Sequence, residues 1–580
     1  MTRGRRTGQA AALSAALLLI AVAPASAQLT GPTLPANDLE AALALTGGQF
    51  LPTAPAALIP HPKLAPVPEA RCGPGSEPLE DPIQGRVSAE AVASEQADRG
   101  WTCNTTVTGR FDTPGGFRVW RYEDRAGRVC AYYDSSLGSP ANLVSLAAAP
   151  TQGVVVLDMS DPTKPVRTDT LLTPGMLSPH ESLNLNAKRG LLGAATGTAL
   201  TAPGTLDVYD VSADCRRPVL QSISLSIFGH ESGFSPDGNT FWVAGGVGRI
   251  TAYDVRDPRF PYVVWEGNFY SHGLNFSDDG RTMYQTDTIN GNLGILDVSE
   301  IQDRRPAPQV RQISRSTWES VSIPQNTVPL TLGGKPFLLE FDEFAFRFNP
   351  LTLDDKAGAA RLIDITDPAR PRIASDLRLE VNMPEVHRQV NGDPFPVPNK
   401  ALGYGAHYCA APTQEEPTIV ACSFLNSGLR VFDIRDPANP RESAYFVAPP
   451  KEGAAPGQEG NFAFSQPAFD VARRDVWYTD ATSGLYVLHL DEAAWPERET
   501  ARCISKRRFT IRLPRAMRRA TVRYLGKRAA VRRSKGRLTA RIDLRGRPAR
   551  TVTVKVRGQT RSGRTVTQIR RFKTCRGRTA

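Results

Sequence analysis

One short pattern constrains this chain more than any other: an apolar, β-branched run that ends in Asp and returns seven times. The copies are GVVVLDMSDPTKP from Gly153, TLDVYDVSADCRRP from Thr205, RITAYDVRDPRFP from Arg249, NLGILDVSE from Asn292, ARLIDITDPARP from Ala360, GLRVFDIRDPANP from Gly428 and GLYVLHLDEA from Gly484. The terminal acids are Asp158, Asp210, Asp254, Asp297, Asp364 and Asp433, and His489 takes that place in the last copy. Repetition at this period means stacked units, each too small to bury its own apolar face. The unit has an inner order. HESGFS opens it, PDGNT turns, FWVAGG and RITAYDV follow, and YVVWEG comes after DPRFP. Four short antiparallel strands make a propeller blade, so the chain is expected to be all-β, a seven-bladed β-propeller. In the DPxxP turn, Pro fixes φ near −65° and Asp can bond the backbone just ahead, so the chain reverses tightly.

The seventh copy lacks a fourth strand on its C-terminal side. WTCNTTVTGRF, just before the first blade, is expected to supply it, closing the ring and removing an open edge. FRVWRYED and RVCAYYD then become the first two strands of blade one.

The runs VVVLDMSDPTKP, ITAYDVRDPRFP, RLIDITDPARP and LRVFDIRDPANP resemble the LVIVD repeat family of exported β-propellers, over about 390 residues. The resemblance implies a propeller with a surface or binding role. It also implies His at the opening of the first strand, here His180, His230, His272 and His407. The chain departs from that pattern at Trp318 and Gln466.

Those histidines recur on their own account in SPHESLNLN, FGHESGFS, SHGLNFSDDG and GAHYCAAP, and Glu181, Glu231 and Glu319 follow the same position. In a propeller they lie at the channel mouth. Two readings follow. The histidines brace neighbouring blades through backbone bonds, or they form a ligand site in which imidazole and carboxylate hold a divalent transition metal such as Zn²⁺, Fe²⁺ or Cu²⁺. Such a metal could activate water. Strand alternation argues against the second, because His and the next Glu should point to opposite faces. No HxxxH pair supplies a short ligand motif. Calcium is a lesser expectation, from the acids Glu340, Asp342, Glu343, Asp354 and Asp355 near one loop. No G-x-S-x-G, Walker loop or dinucleotide fingerprint stands out, and the small-molecule or protein ligand of the top face stays unnamed.

The ends of the chain differ from its middle. Residues 1–27 read as a secretory signal peptide, with Arg3, Arg5 and Arg6, an apolar core and the small-residue site Ala25-Ser26-Ala27. The apolar run is shorter than the ~20 residues that span a bilayer, so no transmembrane segment is expected in the mature chain, which is secreted or held at the cell surface. Residues 28–97 are rich in Pro and Ala and read as an extended or disordered leader, pinned by Cys72. The propeller occupies 98–496, and a basic β-domain, sandwich-like in its strand spacing, fills 501–580.

Of the 70 Lys and Arg residues, 28 fall in those last 80 positions beside a single acid, Asp543. That module suits anionic envelope polymers. Its aromatics are sparse, so sequence-specific nucleic acid binding is not expected. Eight cysteines in an exported chain imply disulfides. Cys409–Cys422 across a hairpin and Cys503–Cys575 around the tail domain are expected. Among the other four, Cys103–Cys130 is favoured, leaving Cys72–Cys215.

Overall fold

The structure is a computed structural model. It describes residues 49–51, 55–135, 153–197, 204–244, 248–343, 356–387, 389–390, 393, 403–450, 461–497, 507–514, 517–534, 536–545, 551–560 and 565–573. The signal segment and Cys503–Cys575 lie outside these. The chain divides into two units, Met1–Pro496 and Glu497–Ala580.

Among the described residues the first unit is a succession of seven sheets met in sequence order, antiparallel apart from two short leader strands. The second sheet is typical: Asn184–Asn186, Leu191–Ala195, Thr205–Asp210 and Val219–Leu225. The repeated apolar run is its third strand, and in all seven sheets the register shifts at the same place in that strand, as at Val208/Tyr209. The Asp that ends the run accepts the amide two residues on: Ser160 to Asp158 at 2.9 Å, Arg256 to Asp254 at 2.9 Å, Arg435 to Asp433 at 3.1 Å. Each DP aspartate repeats this, as in Thr163 to Asp161 at 3.1 Å and Arg259 to Asp257 at 3.1 Å. The turn chemistry is therefore local, and it fixes where the third strand stops in the sheets that carry the Asp.

Inner strands bond across the seams between sheets. Asn184 Oδ1 accepts the Phe234 amide at 3.2 Å, and Asn275 Nδ2 donates to Thr327 O at 2.9 Å. The seventh sheet, Ala468–Asp470, Asp475–Asp480 and Gly484–Leu490, is completed by Thr105–Phe111 from before the first sheet. It also meets the first sheet, where Gln466 N donates to Phe117 O at 2.7 Å and Val119 N to Gln466 O at 3.0 Å. The ring is closed, and the fold is an all-β propeller.

Two expectations need correction. Cys103 pairs with Cys72, and Cys130 pairs with Cys215; the Cys409–Cys422 bridge is as expected. The reason is a parting of the ways at Asn104, whose φ is +56°. Trp101–Cys103 runs along the sixth sheet beside Arg441–Val447, whereas Thr105–Phe111 joins the seventh. Cys103 is thus carried away from Cys130, which faces the turn holding Cys215 in the neighbouring sheet. The leader is extended and pinned by Cys72, but its described part is ordered. Gln49–Phe50 and Ala57–Leu58 add parallel strands to the third and fourth sheets, and Arg86 pairs with both oxygens of Asp393 at 2.9 and 2.8 Å.

The second unit has a sheet of Arg508–Arg512, Arg537–Asp543 and Val531–Ser534, and a sheet of Lys527–Ala529, Met517–Tyr524, Thr551–Thr560 and Thr565–Lys573. Ile511, Val522, Leu538, Ile542 and Val554 form the apolar core between them. No described helix is long and apolar enough to cross a membrane.

Candidate metal centre in the propeller channel

Four sheets each deliver a His to the channel, and none of the four lies on a regular strand. His180 opens a 3-10 turn, His180–Ser182, with φ at +52°. His230 and His272 sit in bends just before Gly233–Phe234 and Leu274–Phe276, and His407 lies in irregular backbone just before Cys409–Ala410. Their amides still reach the second strand of their own sheet: His230 to Ala244 O at 2.6 Å, His272 to Thr286 O at 2.8 Å, His407 to Ser423 O at 2.9 Å. Strand alternation does not bind an irregular backbone, so Glu181 and Glu231 enter the channel together with the histidines. Close approach needs small neighbours. A Cβ on Gly197 would lie 2.2 Å from that of His180, and one on Gly273 would lie 2.5 Å from Glu231 Oε2.

Glu181 is the hub. Its Oε2 lies 3.2 Å from His230 Nε2 and 3.7 Å from His272 Nε2, and those two nitrogens are 2.7 Å apart. Its Oε1 lies 3.5 Å from His407 Nε2 and accepts Gln325 Nε2 at 2.7 Å. Glu343, from the end of Lys335–Glu343, is 3.5 Å from His272 Nε2 and 3.3 Å from His407 Nε2. His180 Nδ1 is 3.9 Å from Glu181 Oε2. Three overlapping sets could hold one ion, each with ligand atoms within 4.8 Å of one another: His180, Glu181 and His230; Glu181, Glu231 and His272; Glu181, Glu343 and His407.

The outer nitrogens are already committed. His272 Nδ1 faces Gln325 O at 3.1 Å, and His407 Nδ1 faces Phe464 O at 2.6 Å. Donation to those carbonyls turns both Nε2 atoms toward the centre, the arrangement that orients a metal-ligating imidazole; His272 presents a lone pair there, and His407 must first lose a proton. Phe464 stacks on His407 at 4.0 Å, and Phe117 lies 4.2 Å from His180. One side is closed by Arg118, which pairs with Glu231 together with Asn326 Nδ2. The His180 and His230 side chains keep 18% and 27% of their surface exposed, against 7% or less for the other site residues, so access is from that side.

The acids of the site, Glu181, Glu231 and Glu343, meet one guanidinium, Arg118, and one imidazole whose charged form is favoured, His407. Burial pushes the His180 imidazole down to about 3 and lowers those of His230 and His272, with neighbouring imidazoles adding to the effect at His180 and His272. Burial acts on His407 too, but Glu181 and Glu343 outweigh it and raise that ring to about 9. Burial lifts Glu343 to about 7. Burial opposes ionisation of Glu181 as well, yet the surrounding histidines hold it well below the usual range. Glu181 Oε2 and Glu231 Oε2 are buried and receive no well-aligned hydrogen bond among the described residues.

Other expected site residues separate. Glu319 is exposed and outside the cluster, and Trp318 is buried against Arg361. The fifth sheet sends Gln325 and Asn326 to the channel instead, from its longer first strand Ile323–Leu332. The acids considered for calcium part company: Glu340 and Asp342 are taken by Arg361, and Asp354 and Asp355 lie outside the described residues. Glu343, read as a loop acid, belongs to the histidines. Arg118, Gln325, Asn326, Phe117 and Phe464 carried no sequence signal beyond their position near a strand start.

No family model matches the chain, and no curated protein matches it. Among solved structures, the β-propeller domain of Cps50 (Swd1) from Myceliophteria thermophila is similar at 12% identity and a TM-score of 0.41, covering 66% of this chain and 100% of that one. A likeness at that level says nothing of chemistry.

Proposed function

We propose that this protein is an exported, seven-bladed propeller of LVIVD type that holds a divalent transition metal at its channel mouth and works through that ion as a metal-dependent enzyme or ligand-binding module. Glu181 carries the reading: it faces His230, His272 and His407 Nε2 at 3.2–3.7 Å, and its Oε2 is buried without a well-aligned hydrogen bond among the described residues. His180, His230, His272 and His407 are the imidazole donors, and Glu181 and Glu343 the carboxylate donors. Mixed nitrogen and oxygen ligands suit Zn, Fe, Cu or Mn rather than calcium. The bound ion would supply Lewis-acid polarisation or an acidified water. Glu343 is placed to hold a proton beside His407. Arg118 pairs with Glu231, and the Phe117 and Phe464 rings exclude water from one flank.

The test is elemental analysis of protein purified without chelator or affinity metal. Near-stoichiometric Zn, Fe, Cu or Mn, lost in His230→Ala/His272→Ala that still folds, is the expected result. No metal, even after reconstitution, would leave the histidines as braces between sheets.

The basic unit supports a second role, retention on anionic envelope polymers. The exposed face of its three-stranded sheet aligns Arg512, Thr539 and Arg532 in one row and Thr510 and Arg541 in the next, with Asp543 the only acid of residues 501–580. Arg suits phosphate in particular. Deleting residues 501–580 should release the protein from the envelope at salt concentrations that retain the full chain.

A further inference from the structure

A second cavity, lined by none of the metal-site residues, lies where the third and fourth sheets meet. Its volume is about 150 Å³. Asn268 comes from the end of Tyr262–Asn268, with Phe269 next to it; Gln285 and Asp287 come from Thr282–Asp287, Gly294 and Leu296 from Asn292–Asp297, and Arg315 from Arg311–Thr317. The leader adds a wall through Leu51. Gln49 anchors that segment: its Oε1 accepts Trp265 Nε1 at 3.2 Å and Val310 N at 2.8 Å, and its Nε2 donates to Val310 O at 2.7 Å.

The charged groups on the wall are closed on each other. Asp287 accepts Arg315 Nη2, and it accepts Asn290 Nδ2 at 2.8 Å and Asn290 N at 3.0 Å. Arg315 Nε donates to Asn292 Oδ1 at 2.8 Å. The carboxamides are not closed. Gln285 is 6% exposed; its Nε2 is spent on Tyr270 O at 2.7 Å and Thr286 O at 2.9 Å, and its Oε1 accepts no hydrogen bond among the described residues. Gly294 leaves that oxygen open, since a Cβ there would lie 2.6 Å from it. Asn268 Nδ2 is buried with no partner among the described residues. A buried donor or acceptor left unmet is costly, so a ligand that meets both is favoured. Leu51, Phe269 and Leu296 share one apolar core and give the wall an apolar side. Exposed Asn290 and half-buried Gln312 also line the cavity, so it is reached from solvent.

We propose that this cavity binds the hydroxyl edge of a neutral pyranose. A hydroxyl both donates and accepts, so neighbouring hydroxyls of one ring can accept from Asn268 Nδ2 and donate to Gln285 Oε1. The C–H face of the ring suits Phe269. An anion would find Arg315 already paired, and a cation would find Asp287 already paired. The space equals that of about five water molecules. That takes one edge of a single ring, so a glycan would enter by its terminal residue. This is independent of the metal.

The test is saturation-transfer NMR on the full chain, with D-glucose, D-galactose, D-mannose and N-acetyl-D-glucosamine as probes and D-glucuronate as the anionic comparison. At least one neutral sugar should receive saturation, with a Kd on the order of 1 mM, and glucuronate should bind more weakly. Asn268→Ala removes the donor, and Gly294→Ala fills the space beside Gln285; each should weaken the sugar by about tenfold. Asn268 is half-buried at a strand end, so its variant reads the site even where Gly294→Ala fails to fold. Three results overturn the proposal: no saturation of any neutral sugar at ten times that concentration, glucuronate bound as tightly as the best neutral sugar, or unchanged binding in either folded variant.

Discussion

The strand Lys335–Glu343 feeds two buried polar clusters that solve the same problem in opposite ways. Glu340 and Asp342 meet Arg361, which pairs with both, approaches Asp376 at 3.7 Å and stacks on Trp318 at 4.5 Å. His61 from the leader reaches Asp376 at 3.2 Å. There the counter-charge, Arg361, is built into the chain. One residue on, Glu343 faces His272 and His407, and the guanidinium of that cluster, Arg118, pairs with Glu231. A buried charge without a partner is costly; in the first cluster Arg361 reaches both Glu340 and Asp342, whereas Glu181 and Glu343 face imidazoles, the donor set that suits an exchangeable cation. Proximity of acids on one strand therefore says little; what matters is which of them own a fixed counter-charge.

The largest effect should come from breaking the complete cluster. Arg361→Met leaves Glu340 and Asp342 buried without their cation and should cost about 3–5 kcal/mol in urea denaturation. A loss below about 1 kcal/mol would erase the distinction. His230→Ala/His272→Ala should do the converse: metal affinity falls by at least about 100-fold in chelator competition, while stability of the metal-free protein changes less than in Arg361→Met. Glu343→Gln should weaken the metal by roughly tenfold and leave the fold intact. A metal-free variant that is much less stable than the native metal-free chain would mark Glu343 as structural.

The smallest effect belongs to the turn acids. Burial raises the carboxyls of Asp254 and Asp433, but hydrogen bonds from Arg256 and Arg435 and from backbone amides outweigh it, and both sit below the ordinary value. A carboxyl depressed in the folded state contributes stability that is fully present above its unfolded value, about 3.9, and is lost as pH falls through the folded value. Acid unfolding should therefore fall below about pH 4, and Asp433→Asn should flatten it slightly. An unchanged acid transition would show that these turns do not set it.

Much of the fold was legible because its determinants are local. An Asp that caps a strand, a Pro that fixes φ and a short apolar run are all visible in one stretch of sequence. The closing strand Thr105–Phe111 was legible for a related reason, since a missing fourth strand leaves an edge to be filled. The disulfides were not, because the divergence at Asn104 depends on two sheets that are remote in sequence. At the site, the histidines announced themselves by recurrence, but Glu319 did not join them, since the first strand of the fifth sheet enters the channel at Gln325. The alternation argument misjudged Glu181 and Glu231 because their backbone bends before the strand begins. Arg118, Phe117 and Phe464 are single occurrences whose role comes only from closure of the ring.

The most direct test of the metal centre is a crystal of the purified protein measured at wavelengths on both sides of the Zn, Fe, Cu and Mn absorption edges. The account expects one anomalous peak at about 2.0–2.2 Å from imidazole Nε2 atoms of His230 and His272, with Glu181 in the same shell. Absence of any peak after reconstitution, or a peak bound only elsewhere on the molecule, would contradict it.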